Sequence, residues 1–174
     1  MESDQERRDL LAMAADQRTN FRYTVENLDD EQARSRTTVS ELTLGGLVKH
    51  LAAVQRGWLA VIDGSAPAEF GWSDIDRDAY RMTESETLDG VLGSFDEAAA
   101  EFDRTVRDEP DLDRRITLPR YPWSPAEPVV WTVRQILLHV FREIAHHSGH
   151  ADIIREALDG SSTTARMAAA AAGN

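Results

Sequence analysis

TVRQILLHVFREIAHHSGHADIIREAL, residues 132–158, carries four of the chain's five histidines within one amphipathic pattern. Ile136, Val140 and Ile154 recur at the three- and four-residue intervals of a helix face. An α-helix turns about 100° per residue, so residues four apart differ by about 40°. Glu143 and His147 therefore share a face, and His150 lies close to them in angle. That face is also the aliphatic stripe. The helix is expected to run from Thr132 to Leu158, with Gly160 as its stop, and to aim Glu143, His147 and His150 inward.

Three more helices read out of the rest of the chain. The first spans roughly Asp4 to Leu28, with Leu10, Leu11, Met13, Ala14, Phe21 and Val25 at helical intervals. The second spans Leu44 to Ile62, with Thr43 as N-cap and Gly64 as stop. The third starts near Thr83, where Glu86 completes a capping-box pattern, and ends at about Arg107 before Pro110. Two long connections separate helices two, three and four. The second of these, Asp111 to Val130, holds four prolines and cannot be a continuous helix. Its Ile116-Thr117-Leu118 segment has extended character but is short for a strand. The prediction is an all-α four-helix bundle over residues 1–160 with long irregular connections between helices 2–3 and 3–4, which lie near one end of the bundle. Residues 161–174 are expected to be a disordered tail.

Composition narrows the partners. The formal net charge is −12, from 31 acidic and 19 basic residues. Nucleic-acid binding needs a basic footprint, and anionic membranes attract basic segments, so neither partner is expected. The chain has no cysteine, hence no disulfide, thiolate ligand or cysteine nucleophile. No signal-like N-terminus or membrane span is read from the sequence, and a cytoplasmic protein is expected. No phosphate loop, nucleophile elbow or H-E-x-x-H motif is present.

Polar side chains on a core stripe need partners, and a metal satisfies imidazole and carboxylate together. The fifth histidine, His50, sits on the second helix between Leu47 and Val54, also at an apolar face. An antiparallel arrangement would bring it against the last helix. Spacing leaves two last-helix pairs open, Glu143/His147 and His146/His150, with His139 as a further ligand or a supporting group. Asp152 is a candidate orienter of a ligating imidazole, against the plainer reading of a solvated face. Gly149 costs about 1 kcal/mol relative to alanine within a helix. Trp58 and Trp131 read as core packing or helix-end anchors. Trp72 and Trp123, in the connections, either line a pocket mouth or staple a connection to the helices.

The segment Leu42-Thr-Leu-Gly-Gly-Leu-Val-Lys-His50-Leu and the segment from Trp131 to Gly160 resemble the two signatures of an actinobacterial branch of the DinB-like, YfiT-like helical-bundle superfamily. The resemblance covers nearly the whole chain. It implies a four-helix bundle that holds a divalent metal with one side chain from the second helix and two from the last. The superfamily includes thiol-dependent S-transferases, a mycothiol-dependent maleylpyruvate isomerase and the bundle domain of ergothioneine synthases. In the isomerase branch the last-helix ligands are a Glu and a His four residues apart. That pattern falls here on Glu143 and His147, with His50 from the second helix. The commoner pattern has two histidines there, so this chain departs from it at Glu143, and His150 stays as an alternative or additional ligand.

The cofactors implied by this resemblance are a divalent ion, zinc or nickel, and a low-molecular-weight thiol such as mycothiol. The expected function is a metal-dependent thiol S-transferase or isomerase acting on small electrophiles, with Arg120 and Trp123 as candidates for gripping the cofactor. The rival readings are a metal-binding bundle without catalysis and a metal-dependent hydrolase. A small-molecule substrate and a homodimer complete the expected partners.

Overall fold

The computed structural model describes residues 2–74 and 78–172. The chain is mostly helical. Four long helices dominate: α1 (Glu2–Tyr23), α3 (Leu44–Asp63), α4 (Leu88–Asp108) and α5 (Val133–Asp159), with a short α2 (Asp30–Arg34) and a terminal α6 (Thr163–Ala172). Two three-residue strands, β1 (Arg115–Thr117) and β2 (Val130–Thr132), pair antiparallel with Ile116 opposite Trp131. The principal contacts are α3 with α4, α1 with α5, and α3 with α5. One core joins them, including Phe21, Leu47, Leu51, Phe95, Phe102, Ile136 and Ile144. No helix among the described residues is long and apolar enough to cross a membrane.

Local chemistry explains the helix ends. Thr43 caps α3 by accepting a hydrogen bond from the Gly46 N–H at 3.2 Å. Gly64 and Gly160 close α3 and α5 with φ of 80° and 77°, the left-handed conformation that glycine adopts without steric cost. Thr132 and Gln135 form a capping box at the start of α5. The next orphan N–H groups of that helix, on Val133 and Arg134, donate to the carbonyls of Arg114 and Leu112. The small β-ribbon thus docks the helix that carries most of the histidines.

Several expected boundaries differ. The first helix stops at Tyr23 rather than Leu28, because the Thr24 hydroxyl turns back to the Phe21 carbonyl and Asn27 takes a φ of 57°. Asp29 and Gln32 then form a capping box for α2, a short-range signal that the helical periodicity of the first segment obscures. The third long helix starts at Leu88, not Thr83. Glu86 does accept from the Thr83 N–H, but it closes a turn, and Thr87 is the N-cap. Ile116-Thr117 is extended, as β1, because Trp131 and its neighbours supply a partner strand. Residues 163–172, expected to be disordered, form α6. Alanine has the highest helix propensity, and Arg166 ties the segment to Glu26.

The end of α5 is fastened by Arg155, a buried arginine. Its guanidinium donates to the carbonyls of Thr24 and Glu26 and pairs with Asp159 at 2.9 Å. Hydrogen bonds from Arg155 pull the Asp159 carboxyl down to about 2 from an ordinary 3.8. A depressed carboxyl contributes stability above its unfolded value and loses it as pH falls through its folded value. Asp159→Asn should therefore cost about 1 kcal/mol at pH 7, discounted for the partial exposure of the pair. Urea unfolding checks this: the gap between the two proteins should shrink between pH 4 and pH 2.

Candidate metal centre

Helices α3 and α5 pack against each other, and His50, Glu143 and His147 meet between them. One donor atom from each lies within 4.8 Å of the other two. Glu143 Oε2 stands 4.0 Å from His50 Nε2 and 3.8 Å from His147 Nε2. Glu143 and His147 come together because they are one helical turn apart on the inward stripe. His50 joins them because α3 presents the same face that packs Leu47 and Leu51 into the core.

His50 Nε2 is buried and has no hydrogen-bond partner among the described residues. Leaving a buried polar atom unmatched costs about 1–3 kcal/mol. Burial pushes the His50 imidazole down to about 4, aided by the neighbouring His147 ring and opposed by Glu143. Burial lowers His147 as well, again opposed by the Glu143 carboxylate. At neutral pH His50 is therefore uncharged, with a lone pair available to a cation. The set of two imidazoles and one carboxylate could hold a divalent first-row ion. Donors around such an ion, with bonds of about 2.1 Å, stand roughly 3 to 4 Å apart. The present spacing, within 4.8 Å, is somewhat wider than that.

The other histidines occupy different places. His150 lies outside the triad, with its Nδ1 at 3.3 Å from His147 Nδ1. His146 is exposed on the outer side of α5. His139 approaches the far oxygen of Glu143 at 3.7 Å, and its ring stands edge-on to both Trp58 and Trp131. Those two tryptophans stack on each other at 5.2 Å. Asp152 accepts a short hydrogen bond from Thr163, next to α6, and so has a structural partner.

Tyr80 was not legible as a site residue. Its ring stacks on His50 with centroids 3.8 Å apart and planes 18° from parallel. Gly46 makes this possible. A Cβ there would fall 2.0 Å from the Tyr80 carbonyl oxygen, so the chain can pass this close only over glycine. The signal in the sequence is the Gly45-Gly46 pair at the start of a helix, where glycine is otherwise unfavourable.

Beside His50 a cleft of 730 Å³ opens, walled by Trp58, Phe70, Tyr80, Leu118 and Tyr121 among others. Its rim is made where the two long connections join: the Phe70 N–H donates to the Arg120 carbonyl, and the Arg120 N–H donates to the Ala68 carbonyl. Phe70, Tyr121 and Trp123 then stack in series at 4.8 and 5.1 Å. Trp123 thus belongs to a staple, and neither it nor Arg120 lines the cleft. Arg120 borders a neighbouring groove with Pro67 and Glu69. The side chain of Trp72 lies outside the described residues.

No curated protein matches the chain. A family described as mycothiol S-transferase matches residues 9–160. That span runs from α1 to the glycine that ends α5 and includes His50, Glu143 and His147. With a match over most of its length, the chain belongs to the mycothiol S-transferase family, within the DinB-like superfamily.

Proposed function

We propose that this chain is a metal-dependent transferase that joins the sulfur of a low-molecular-weight thiol, mycothiol by its family, to a small electrophile. The observation that carries the reading is the buried, unpartnered Nε2 of His50, set beside Glu143 and His147 at the edge of an open cleft. A structural metal would call for a closed shell of protein ligands, whereas three donors next to a cleft leave room for a substrate. The long helices are read as the four-helix bundle of the superfamily, with the metal between the second and last of them.

His50, Glu143 and His147 would hold the ion, a divalent first-row metal by the donor set and zinc or nickel by the family resemblance. When bound, a divalent cation supplies the positive charge that favours the thiolate form of a thiol. The chain has no cysteine, so the sulfur is the cofactor's. In the transfer, the sulfur forms a bond to the electrophilic carbon, the leaving group departs with its bonding pair, and the thiol proton passes to solvent. Tyr80 fixes the plane of the His50 ring by stacking on it. His139, braced by Trp58 and Trp131, steadies Glu143 from the other side.

The test is conjugation of a chlorinated bimane by metal-loaded protein across a panel of thiols. Mycothiol should react well above the uncatalysed rate, and the acceleration should vanish in His50→Ala. Background rates with every thiol, or an unchanged rate in His50→Ala, would overturn the proposal.

A further inference from the structure

The two ring nitrogens of His147 have separate neighbours. Nε2 lies 3.8 Å from Glu143 Oε2, on the side where His50 and Glu143 gather. Nδ1 lies 3.3 Å from the Nδ1 of His150. The second contact follows from the helix itself, since residues three apart on α5 are neighbours on its surface. Two imidazole nitrogens form a hydrogen bond only when one carries a proton and the other a lone pair. A neutral imidazole has one such proton, so the contact admits two arrangements. In the first, His150 donates from Nδ1, His147 accepts on Nδ1, and His147 keeps its own proton on Nε2. That proton then sits where a cation needs a lone pair. In the second, His147 donates from Nδ1, His150 accepts, and His147 Nε2 presents a lone pair towards Glu143. Which nitrogen of a histidine binds a metal is set by the hydrogen bond that the other nitrogen makes. Only the second arrangement is compatible with a cation held by His50, Glu143 and His147.

We infer that His150 is a positioning residue of the metal centre and not one of its ligands: its Nδ1 accepts the Nδ1–H of His147 and so fixes which nitrogen His147 offers to the ion. The usual acceptor in this place is a carboxylate, a backbone carbonyl or water. Here it is a second imidazole, supplied by the same helix one turn further on. The lone pair of His150 Nδ1 is spent on His147 and is not open to a cation. This role rests on the reading of His50, Glu143 and His147 as ligands and does not depend on the transfer reaction.

The test is the zinc affinity of the whole protein, measured by competition against a chromogenic chelator, with two replacements at one position. His150→Leu fills similar space without an acceptor and should lose about 10–100-fold in affinity. His150→Asn carries an amide oxygen as far along its side chain as Nδ1 stands in histidine, and should recover most of that loss. If His150 were a ligand, both variants would lose affinity alike; if it only filled space, neither would. Either result would overturn the inference. Nitrogen NMR of the zinc-loaded, histidine-labelled protein gives a second readout that packing does not move. The proton of His147 should be on Nδ1 and that of His150 on Nε2, and a proton on His150 Nδ1 would overturn the inference as well. Failure of the unaltered protein to bind zinc would remove the ligand reading and this role together. Full zinc affinity in His150→Leu would remove this role alone, so the two failures are told apart.

Discussion

His147→Ala is expected to abolish tight binding of zinc or nickel while leaving the helical content intact. The side chain is 8% exposed and its Nε2 lies 3.8 Å from Glu143 Oε2. Removing a group that merely orients a ligand costs 10–100-fold in metal affinity, so removal of a ligand itself should cost more than about 100-fold. The core of Phe21, Leu51, Phe95 and Ile136 is untouched by the change, so the fold survives. Competition against a chromogenic chelator, with circular dichroism as the control, measures both. The companion variants decide between the two ligand pairs that spacing leaves open. His146 is exposed, so His146→Ala should bind as the unaltered protein does. His150→Ala removes the contact to His147 Nδ1 and should cost about 10–100-fold, less than the loss of a ligand. A loss in His146→Ala as deep as that in His147→Ala would transfer the site to the other pair.

Two glycines of the same helix should respond to alanine with opposite signs. At Gly46 a Cβ would sit 2.0 Å from the Tyr80 carbonyl oxygen and 2.7 Å from its carbon. These are backbone atoms and cannot swing aside, so the segment from Tyr80 to Met82 must move. Met82 is buried in the core, and Tyr80 lies over His50. Overpacking of this kind costs about 1–3 kcal/mol, against a gain of about 1 kcal/mol in helix propensity. A net loss of up to about 2 kcal/mol is expected from Gly46→Ala, together with weaker metal binding as the ring leaves His50. Gly57→Ala meets open space and should stabilise the protein by about 0.5–1 kcal/mol. Urea unfolding of the two variants measures the contrast, and a Gly46→Ala protein as stable as the unaltered one would refute the role assigned to that glycine.

Much of the architecture is encoded locally. Thr43, Gly64, Thr132 and Gly160 mark helix ends by short-range chemistry, and all four act at those ends in the structure. The inward stripe of Ile136, Val140, Glu143, His147 and Ile154 follows from helical periodicity alone. Where a local signal misleads, a nearby competitor wins. Thr83 and Glu86 satisfy the same contact in a turn as in a capping box, and the helix begins only after the next cap, Thr87. The strand at Arg115–Thr117 could not be read because three residues become a strand only when a partner, here Val130–Thr132, is brought alongside.

By itself the sequence determined that four long helices form and where the bulk of each lies, though not every boundary, which face of the last helix turns inward, and that Glu143 and His147 share it, because these depend on interactions within a few residues. Tertiary structure alone decided that His50 meets that pair, that Tyr80 covers His50, and that Phe70 and Tyr121 wall a cleft beside it. Those meetings join residues far apart in the chain, on helices and on connections whose paths follow from packing. One glycine with no space above it, and one pair of backbone hydrogen bonds between the connections, help set them in place; the Gly45-Gly46 pair marks the first in the sequence without saying what passes over it, and the second has no local pattern.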